Sequence, residues 1–261
     1  MIRPLLLAAV LIALTARAEA RELKVCADPN NLPFSNAAGE GFENRIVELI
    51  ARDLGATVSW HWRAQRRGYV RESLNAGECD LIPGVAASLE MLATTRPYYR
   101  STYVFVTRAG EPPIASFDDP RLKTIKVGVQ MVGDDFSNTP PAHALARRGA
   151  IENVRGYMLY GDYAEPNPPA RIVEAVASGE VDAAVVWGPL AGWAARQQRV
   201  PLTLTPVPRW PDGPQWPMAF DISMGVRKAD VALKREIERA LERNRAAVNA
   251  ILGKYGVPRV E

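Results

Sequence analysis

The sequence has few of the side chains from which catalytic and metal sites are usually built. Its 261 residues include two cysteines and two histidines, too few for the common zinc sites. The hydrolase motif GxSxG and the zinc-protease motif HExxH are absent, and the GxxxxG string at 128–133 lacks the Lys and Ser or Thr of a P-loop. Nothing in the sequence brings carboxylates such as Glu43 and Asp80 together as an acid–base pair. We therefore expect no catalytic residue, no metal and no cofactor.

Charge of one sign is also missing. The chain has 32 basic and 29 acidic residues, a formal net charge of +3, and no run of like charge. Proteins that bind nucleic acid generally carry a basic patch or stripe. A nucleic-acid partner is therefore not expected.

Long hydrophobic runs are absent except at the N-terminus. Arg3 precedes the apolar run Leu5 to Leu14, which is too short to span a bilayer comfortably, and the alternating alanines Ala16, Ala18 and Ala20 offer small residues at a cleavage site. This pattern predicts a signal peptide at 1–20; a retained membrane anchor is the alternative. We expect a periplasmic protein with no membrane insertion once the signal is removed.

The two cysteines do not form a CxxC motif. In an oxidising compartment Cys26 and Cys79 are expected to form a disulfide, with two buried free thiols as the alternative. Cys26 ends the first predicted strand and Cys79 precedes the third. In a sheet ordered 2-1-3 these strands are neighbours, so a bond between the two cysteines is geometrically reasonable.

The first part of the exported chain alternates between strand and helix patterns. Strands are predicted at 23–27, 58–62 and 80–85, and helices at 42–54, 63–77 and around 88–93. This order is typical of a parallel α/β sheet.

A second α/β unit follows the proline-containing stretch 109–120. Its predicted elements are strands at 124–130, 154–160, 181–187 and 202–207 and helices that open at Thr139 and Asn167. After the proline- and tryptophan-rich segment 206–217 come a strand at 220–226 and an amphipathic helix over 233–252. Two α/β units predict a cleft between them, where small ligands commonly bind.

The strings GFENRIVELIARDLG, AGECDLIPGV and VASGEVDAAVVWGPLAG resemble, in this order, the type II periplasmic solute-binding fold. The resemblance implies an α/β protein with two lobes, the first of which is interrupted by the second. It implies a first lobe at 21–108, a second lobe at 109–216 and a return to the first lobe at 217–261.

A narrower resemblance is carried by CADPNNLPFSN, QRRGYVR, TRPYYRSTYVFV, VGDDFSNTPPAHALARRG and DISMGVRK. These strings are similar to the J-type family of periplasmic proteins associated with quinoprotein methanol dehydrogenases. The resemblance implies a non-catalytic accessory role in methanol oxidation. The implied partner is a PQQ-dependent alcohol dehydrogenase or its cytochrome c, and assistance in the maturation or activation of the enzyme is one form of that role. The alternative is a receptor that delivers a small solute to an ABC transporter.

The chain departs from amino-acid receptors of this fold at three positions. Such receptors are expected to hold the ligand carboxylate with an arginine and a Gly-Thr pair, and the ligand ammonium with an acidic residue. Here the corresponding positions are Met91, Asp134 and Trp187. A typical α-amino acid is therefore not the expected ligand.

Several polar and aromatic residues near predicted strand ends are candidates for the cleft, with capping, turn or packing roles as the alternative. They are Asp28, Asn31, Phe34, Glu43, Arg67, Tyr69, Arg96, Tyr98, Gln130, Asp134, Asp135 and Trp187. Trp210 and Trp216 lie among prolines and are either folded onto the core or available to a partner protein.

Overall fold

A computed structural model describes residues 21–132, 138–159 and 163–260. The predicted signal peptide at 1–20 and the candidate residues Asp134 and Asp135 lie outside the described residues.

Strands and helices alternate along most of the chain. The strands are β1 Arg21–Ala27, β2 Asn30–Asn31, β3 Ser35–Asn36, β4 Ala56–Trp62, β5 Ile82–Ala86, β6 Ala93–Thr94, β7 Tyr99–Arg108, β8 Val127–Met131, β9 Val154–Met158, β10 Ala183–Trp187, β11 Leu202–Pro206 and β12 Ala219–Val226. The helices are α1 Phe42–Asp53, α2 Tyr69–Glu72, α3 Pro140–Arg147, α4 Arg171–Ser178, α5 Gly188–Arg196, α6 Val231–Arg243 and α7 Arg245–Lys254. Short 3-10 turns cover Pro120–Lys123 and Pro168–Ala170.

The first lobe is built around β1, which pairs in parallel with β4 and forms a parallel bridge from Val25 to Leu81 just before β5. The resulting order β4-β1-β5 is the order 2-1-3 that was expected for the first three predicted strands. The helix α1 packs on this sheet because Phe42, Ile46 and Ile50 lie on one face and are fully buried against the strands. Helices α6 and α7 add their apolar residues to the same core.

Two strands, β7 and β12, connect the lobes. The remaining sheet has the order β5-β12-β7-β10-β8-β9, with β11 also paired to β7. Residues 99–102 of β7 pair with β12, whereas residues 103–107 pair with β10. The chain therefore passes from one lobe to the other in the middle of β7.

The hydrophobic cores change at the same point. Tyr99 in β7 and Ile222 in β12 belong to the core of the first lobe. Tyr103 in β7 and Met218 just before β12 belong to the core of the second lobe. Residues 103–108, assigned to the first lobe from the sequence, thus pack in the second. The proline-containing stretch 109–120 does not form an open linker, because it carries two buried core residues, Ile114 and Phe117.

Three local predictions were wrong. The helix predicted at 63–77 is reduced to the single turn α2, because Gly68 adopts a left-handed conformation with φ of +85°. The region around 88–93 forms a turn instead of a helix. The C-terminal helix is interrupted at Asn244, which separates α6 from α7.

The disulfide between Cys26 and Cys79 is confirmed, with a sulfur–sulfur distance of 2.03 Å and Cα atoms 5.6 Å apart. Both residues are fully buried. The Arg227 side chain donates to the carbonyl oxygen of Cys79 at 2.5 Å and pairs with Asp80 at 2.8 Å. None of the helices in the described ranges is long and apolar enough to cross a membrane.

The C-terminal tail, residues 255–260, contacts both lobes. Ser101 in β7 donates to the carbonyl oxygen of Pro258, and a Cβ atom at Gly192 in α5 would lie 2.0 Å from the carbonyl oxygen of Gly256. From the same helix, Arg196 donates to the carbonyl oxygen of Lys254 at 2.9 Å, at the end of α7. The tail is thus packed against the second lobe as well as the first.

A candidate binding cleft between the lobes

A cavity of about 370 Å³ lies between the two lobes, where β8 and β10 end. Its walls are mainly aromatic and aliphatic. They are formed by Asp28, Asn30, Asn31, Phe34, Gln65, Ala86, Tyr103, Gln130, Leu159, Tyr163, Pro168, Pro169, Trp187, Leu190, Phe220 and Ile222. No lysine or arginine occurs among these described lining residues, and Asp28 is the one carboxylate. This composition suits an apolar ligand body better than a charged one.

Trp187 occupies the centre of the aromatic wall. Its ring meets Tyr103 edge to face at a centroid distance of 5.3 Å and Phe220 at 5.9 Å. Its backbone N–H donates to Oε1 of Gln130 at 3.0 Å, which fixes the end of β10 against β8. Tyr103 and Phe220 come from the two strands that connect the lobes, so the wall forms only when both strands are in register.

The carboxylate of Asp28 already accepts hydrogen bonds from other groups of the protein. Asp28 is buried and accepts hydrogen bonds from the backbone N–H of Asn30 at 2.9 Å and of Gln65 at 2.8 Å. A third donor is the hydroxyl of Tyr163, which belongs to the second lobe. In a receptor for a cationic ligand, a carboxylate at this place would be left for the ligand. Here its charge is compensated by internal donors.

A second set of hydrogen bonds crosses the mouth of the cleft. The side-chain amide of Asn30 donates to the carbonyl oxygen of Glu165 at 2.8 Å and accepts from the backbone N–H of Asn167 at 3.0 Å. Together with the Tyr163–Asp28 bond, these contacts join the lobes, and we call residues 28, 30, 163, 165 and 167 the clasp. The guanidinium of Arg66 also lies 5.2 Å from the Tyr163 ring centroid.

Glu43 lies next to Asp28 but does not line the cavity. It is 4% exposed, and its Oε1 packs so closely on Gly84 that a Cβ there would lie 2.0 Å from it. Burial, reinforced by the charge of Asp28, raises the pKa of Glu43 to about 8. Burial also raises the pKa of Tyr69 and Tyr98, and the nearby Glu43 charge adds to the effect. The interior beside Asp28 therefore favours uncharged groups.

The structure brings together only part of the predicted set. Five of the candidates line the cavity: Asp28, Asn31, Phe34, Gln130 and Trp187. Glu43 and Tyr69 are buried outside its lining, and Arg67 is exposed in the segment between β4 and α2. Arg96 and Tyr98 lie in a separate groove against α6 and α7, where the backbone N–H of Arg96 donates to Glu238 at 2.9 Å. The cleft role predicted for these last two residues does not fit their position.

Most of the apolar wall was not predicted from the sequence. Tyr103, Phe220 and Ile222 reach the cavity from β7 and β12, two strands far apart in sequence. A strand pattern shows that such residues are buried but gives no pairing register. Met91, at the position where amino-acid receptors are expected to have their arginine, is 55% exposed and does not line the cavity.

The two loop tryptophans differ in their surroundings. Trp216 packs between His143 and Arg147 of α3, at 4.6 and 4.5 Å from its ring centroid. Trp210 is 44% exposed, with the Arg209 guanidinium 4.9 Å from its ring centroid. The loop that carries both is fixed to the second lobe, because residue 212 accepts from Arg148 at 2.8 Å.

The sequence matches the bacterial extracellular solute-binding proteins, family 3, over residues 23–257. It is 38% identical over 255 residues to Protein MoxJ of Methylorubrum extorquens, with 93% of this chain and 83% of the relative covered. It is 34% identical over 265 residues to Protein MoxJ of Paracoccus denitrificans, with 96% and 94% covered. The crystal structure of the periplasmic binding protein XoxJ from Methylobacterium extorquens superposes with a TM-score of 0.75 at 35% identity, with 92% and 99% covered.

Proposed function

We propose that this chain, which belongs to family 3 of the bacterial extracellular solute-binding proteins and is a relative of MoxJ within it, is a periplasmic accessory protein that engages a PQQ-dependent alcohol dehydrogenase. The association with the dehydrogenase comes from the J-type family. The coarser assignment, a two-lobed binding protein of the extracytoplasmic solute-binding class, rests on the family match and on the fold.

The observation that supports an accessory role is that the one carboxylate of the described cleft lining is already hydrogen-bonded within the protein. Asp28 accepts hydrogen bonds from three groups of the chain itself, and no described lining residue is a cation. Burying an α-amino acid there would leave its carboxylate unpaired, at a cost of several kcal/mol. The clasp joins the lobes through side chains of the protein itself, so the charged group of the described lining is engaged in holding the two lobes together.

The proposed contribution to the dehydrogenase is binding, without catalysis. A protein that binds the form of the enzyme competent for loading or activation stabilises that form by mass action. Trp210 is our candidate for the contact, because it is exposed on a loop held by the Arg148–Asp212 pair. Tryptophan at such a position commonly carries a large share of a binding interface.

The proposal is tested by capture from the periplasm on the immobilised mature chain. The expected result is retention of a PQQ-dependent dehydrogenase, and a second capture with purified cytochrome c shows whether the cytochrome also binds. Trp210→Ala should lower the dehydrogenase affinity by roughly tenfold or more. Ile151→Ala, which truncates another exposed apolar side chain of the second lobe, is the matched control. The proposal fails when purified dehydrogenase shows no binding, and the Trp210 assignment fails when both variants bind like the wild type.

A receptor for a small solute other than an α-amino acid is the second candidate function. It is favoured by the cavity of about 370 Å³, which falls within the usual range for small-molecule sites. A solute that binds only the folded state should raise the melting temperature of the protein. Melting temperatures that do not change with any metabolite, together with dehydrogenase capture, would exclude this function.

A further inference from the structure

We propose that the cavity between the lobes binds an uncharged small molecule that has an apolar or aromatic body and one oxygen acceptor. The inference rests on the cavity of the second candidate function and names the chemical class of its ligand. It holds or fails independently of the dehydrogenase partner.

The first support is the orientation of Gln130. This residue is 3% exposed and lines the cavity, and its Oε1 accepts the backbone N–H of Trp187 at 3.0 Å. A backbone N–H can only donate, so the other end of the amide must be the Nε2 donor. Within the described ranges, Nε2 has no hydrogen-bond partner. Because Gln130 lines the cavity, this donor is open to an oxygen acceptor on a ligand, which would gain a hydrogen bond there.

The second support is the hydroxyl of Tyr103. The residue is 9% exposed, and its ring lies against Trp187 in the cavity wall. Its hydroxyl has no hydrogen-bond partner among the residues that the structure describes. Burial raises the pKa of Tyr103, which keeps the hydroxyl protonated and able to donate. Gln130 and Tyr103 are thus two wall residues with unused donors, and both belong to the second lobe.

The third support is the charge of the lining. Asp28 is the one charged group among the described lining residues, and its oxygens are occupied by Asn30, Gln65 and Tyr163. Among these described lining residues a ligand anion would find no cation, and a ligand cation at Asp28 would have to displace the Tyr163 hydroxyl. Either charge loses several kcal/mol of solvation without compensation. The rings of Phe34 and Phe220, by contrast, offer apolar surface to a neutral body.

Three probes of nearly equal shape test the inference: benzamide, benzoate and benzylammonium. Their binding to the mature protein is measured by calorimetry and by tryptophan fluorescence, to which Trp187 is one of six contributors. Benzamide should bind saturably, with a Kd of about 1 mM or below. Benzoate and benzylammonium should bind at least roughly tenfold more weakly, because the cavity does not compensate their charge.

Variants then locate the site. Tyr103→Phe removes only the hydroxyl and should weaken benzamide binding by about fivefold, the effect of one lost hydrogen bond. Gln130→Leu should weaken benzamide binding further. If loss of the contact with Trp187 destabilises this variant, Tyr103→Phe still tests the site. Tyr157→Phe is the matched control, because its hydroxyl contacts Glu180 outside the cavity.

The inference is overturned by any of three results. They are no saturable benzamide binding at about 10 mM, binding of benzoate or benzylammonium as tight as that of benzamide, and equal benzamide affinity in Tyr103→Phe and wild type. None of these results alters the outcome of dehydrogenase capture, so failure of the cavity site and failure of the proposed partner are distinguishable.

Discussion

Glu43 shows how far the role of a single residue depends on its surroundings. It lies in the first turn of α1, where an acidic side chain is favourable next to the helix N-terminus, and it was also a candidate for the cleft. The structure buries it next to Asp28 and against Gly84, so its pKa is raised to about 8. The sequence contains both residues, but it does not show that Gly84 lies against the Glu43 carboxyl group and leaves room for it inside the lobe.

The raised pKa of Glu43 makes the stability of the protein depend on pH. Between the ordinary value of 4.5 and about 8, the folded state binds this proton more tightly than the unfolded state does. The free energy of unfolding must therefore fall as the pH rises through that window. Glu43→Gln removes the titrating group and should become more stable relative to wild type with rising pH, by a few kcal/mol in total at roughly 1.4 kcal/mol per pKa unit.

Denaturant unfolding of both proteins near pH 5 and near pH 8.5 measures this difference. Glu90→Gln, at an exposed position, is the control and should show no such trend. A difference between Glu43→Gln and wild type that stays constant over this pH range would contradict the expected burial of a protonated carboxyl group.

At the scale of elements, the sequence predicted which segments are strands much better than how they pair. Apolar runs and turn residues located β1, β4, β10 and β12 within a few residues. The middle of β7 could not be identified as the crossing point, because a change of pairing partner leaves no pattern in the sequence and the strand is buried on both sides of that point. The helix α5 was not predicted at all, although Pro189 in its first turn is a usual start signal.

The candidate site could be predicted only in part, because the sequence shows where strands end but not how the strands and lobes pack together. Residues at strand ends and in the first loop, such as Trp187 and Asn31, were found because loops at the carboxyl ends of strands approach a cleft. Tyr163 was not found, although its hydroxyl donates to the carboxylate of Asp28. Its contact joins residues 135 positions apart and depends on how the two lobes close.

The clasp should control the distance between the lobes. Asn30→Ala removes two hydrogen bonds across the mouth, and Tyr163→Phe removes a third. The double variant should open, with a larger radius of gyration in small-angle X-ray scattering and an unchanged circular dichroism spectrum. Each bond contributes about 1 kcal/mol, so the single variants should open less than the double variant.

Asn31→Ala provides the matched control for the clasp. Asn31 is adjacent in sequence and lines the same cavity, but its amide contacts Gln65 within the first lobe. It should leave the radius of gyration unchanged. A double clasp variant with the same scattering curve as wild type would show that these bonds do not hold the lobes closed.

For the molecule as a whole, the disulfide is the strongest single constraint on the first lobe. It closes a loop across 53 positions, from the end of β1 to the residue before Asp80. Loss of a crosslink of this length costs about 4 kcal/mol by the loop-entropy estimate. The double variant Cys26→Ser/Cys79→Ser should therefore unfold at clearly lower denaturant concentration than wild type.

The same unfolding experiment in the presence of a reductant separates the bond from the substitutions. Reduction should bring the wild type close to the double variant and leave the double variant unchanged. Equal midpoints for oxidised and reduced wild type would show that the bond contributes little to stability.

The C-terminal tail has a consequence for recognition by a partner. Because it packs on both β7 and α5, the lobes are connected at the two crossing strands, at the tail and at the clasp. Such a body has little interdomain freedom left to lose. A protein that docks across the seam between the lobes would meet a surface whose shape is set before contact, and more of the interaction energy would then appear as affinity.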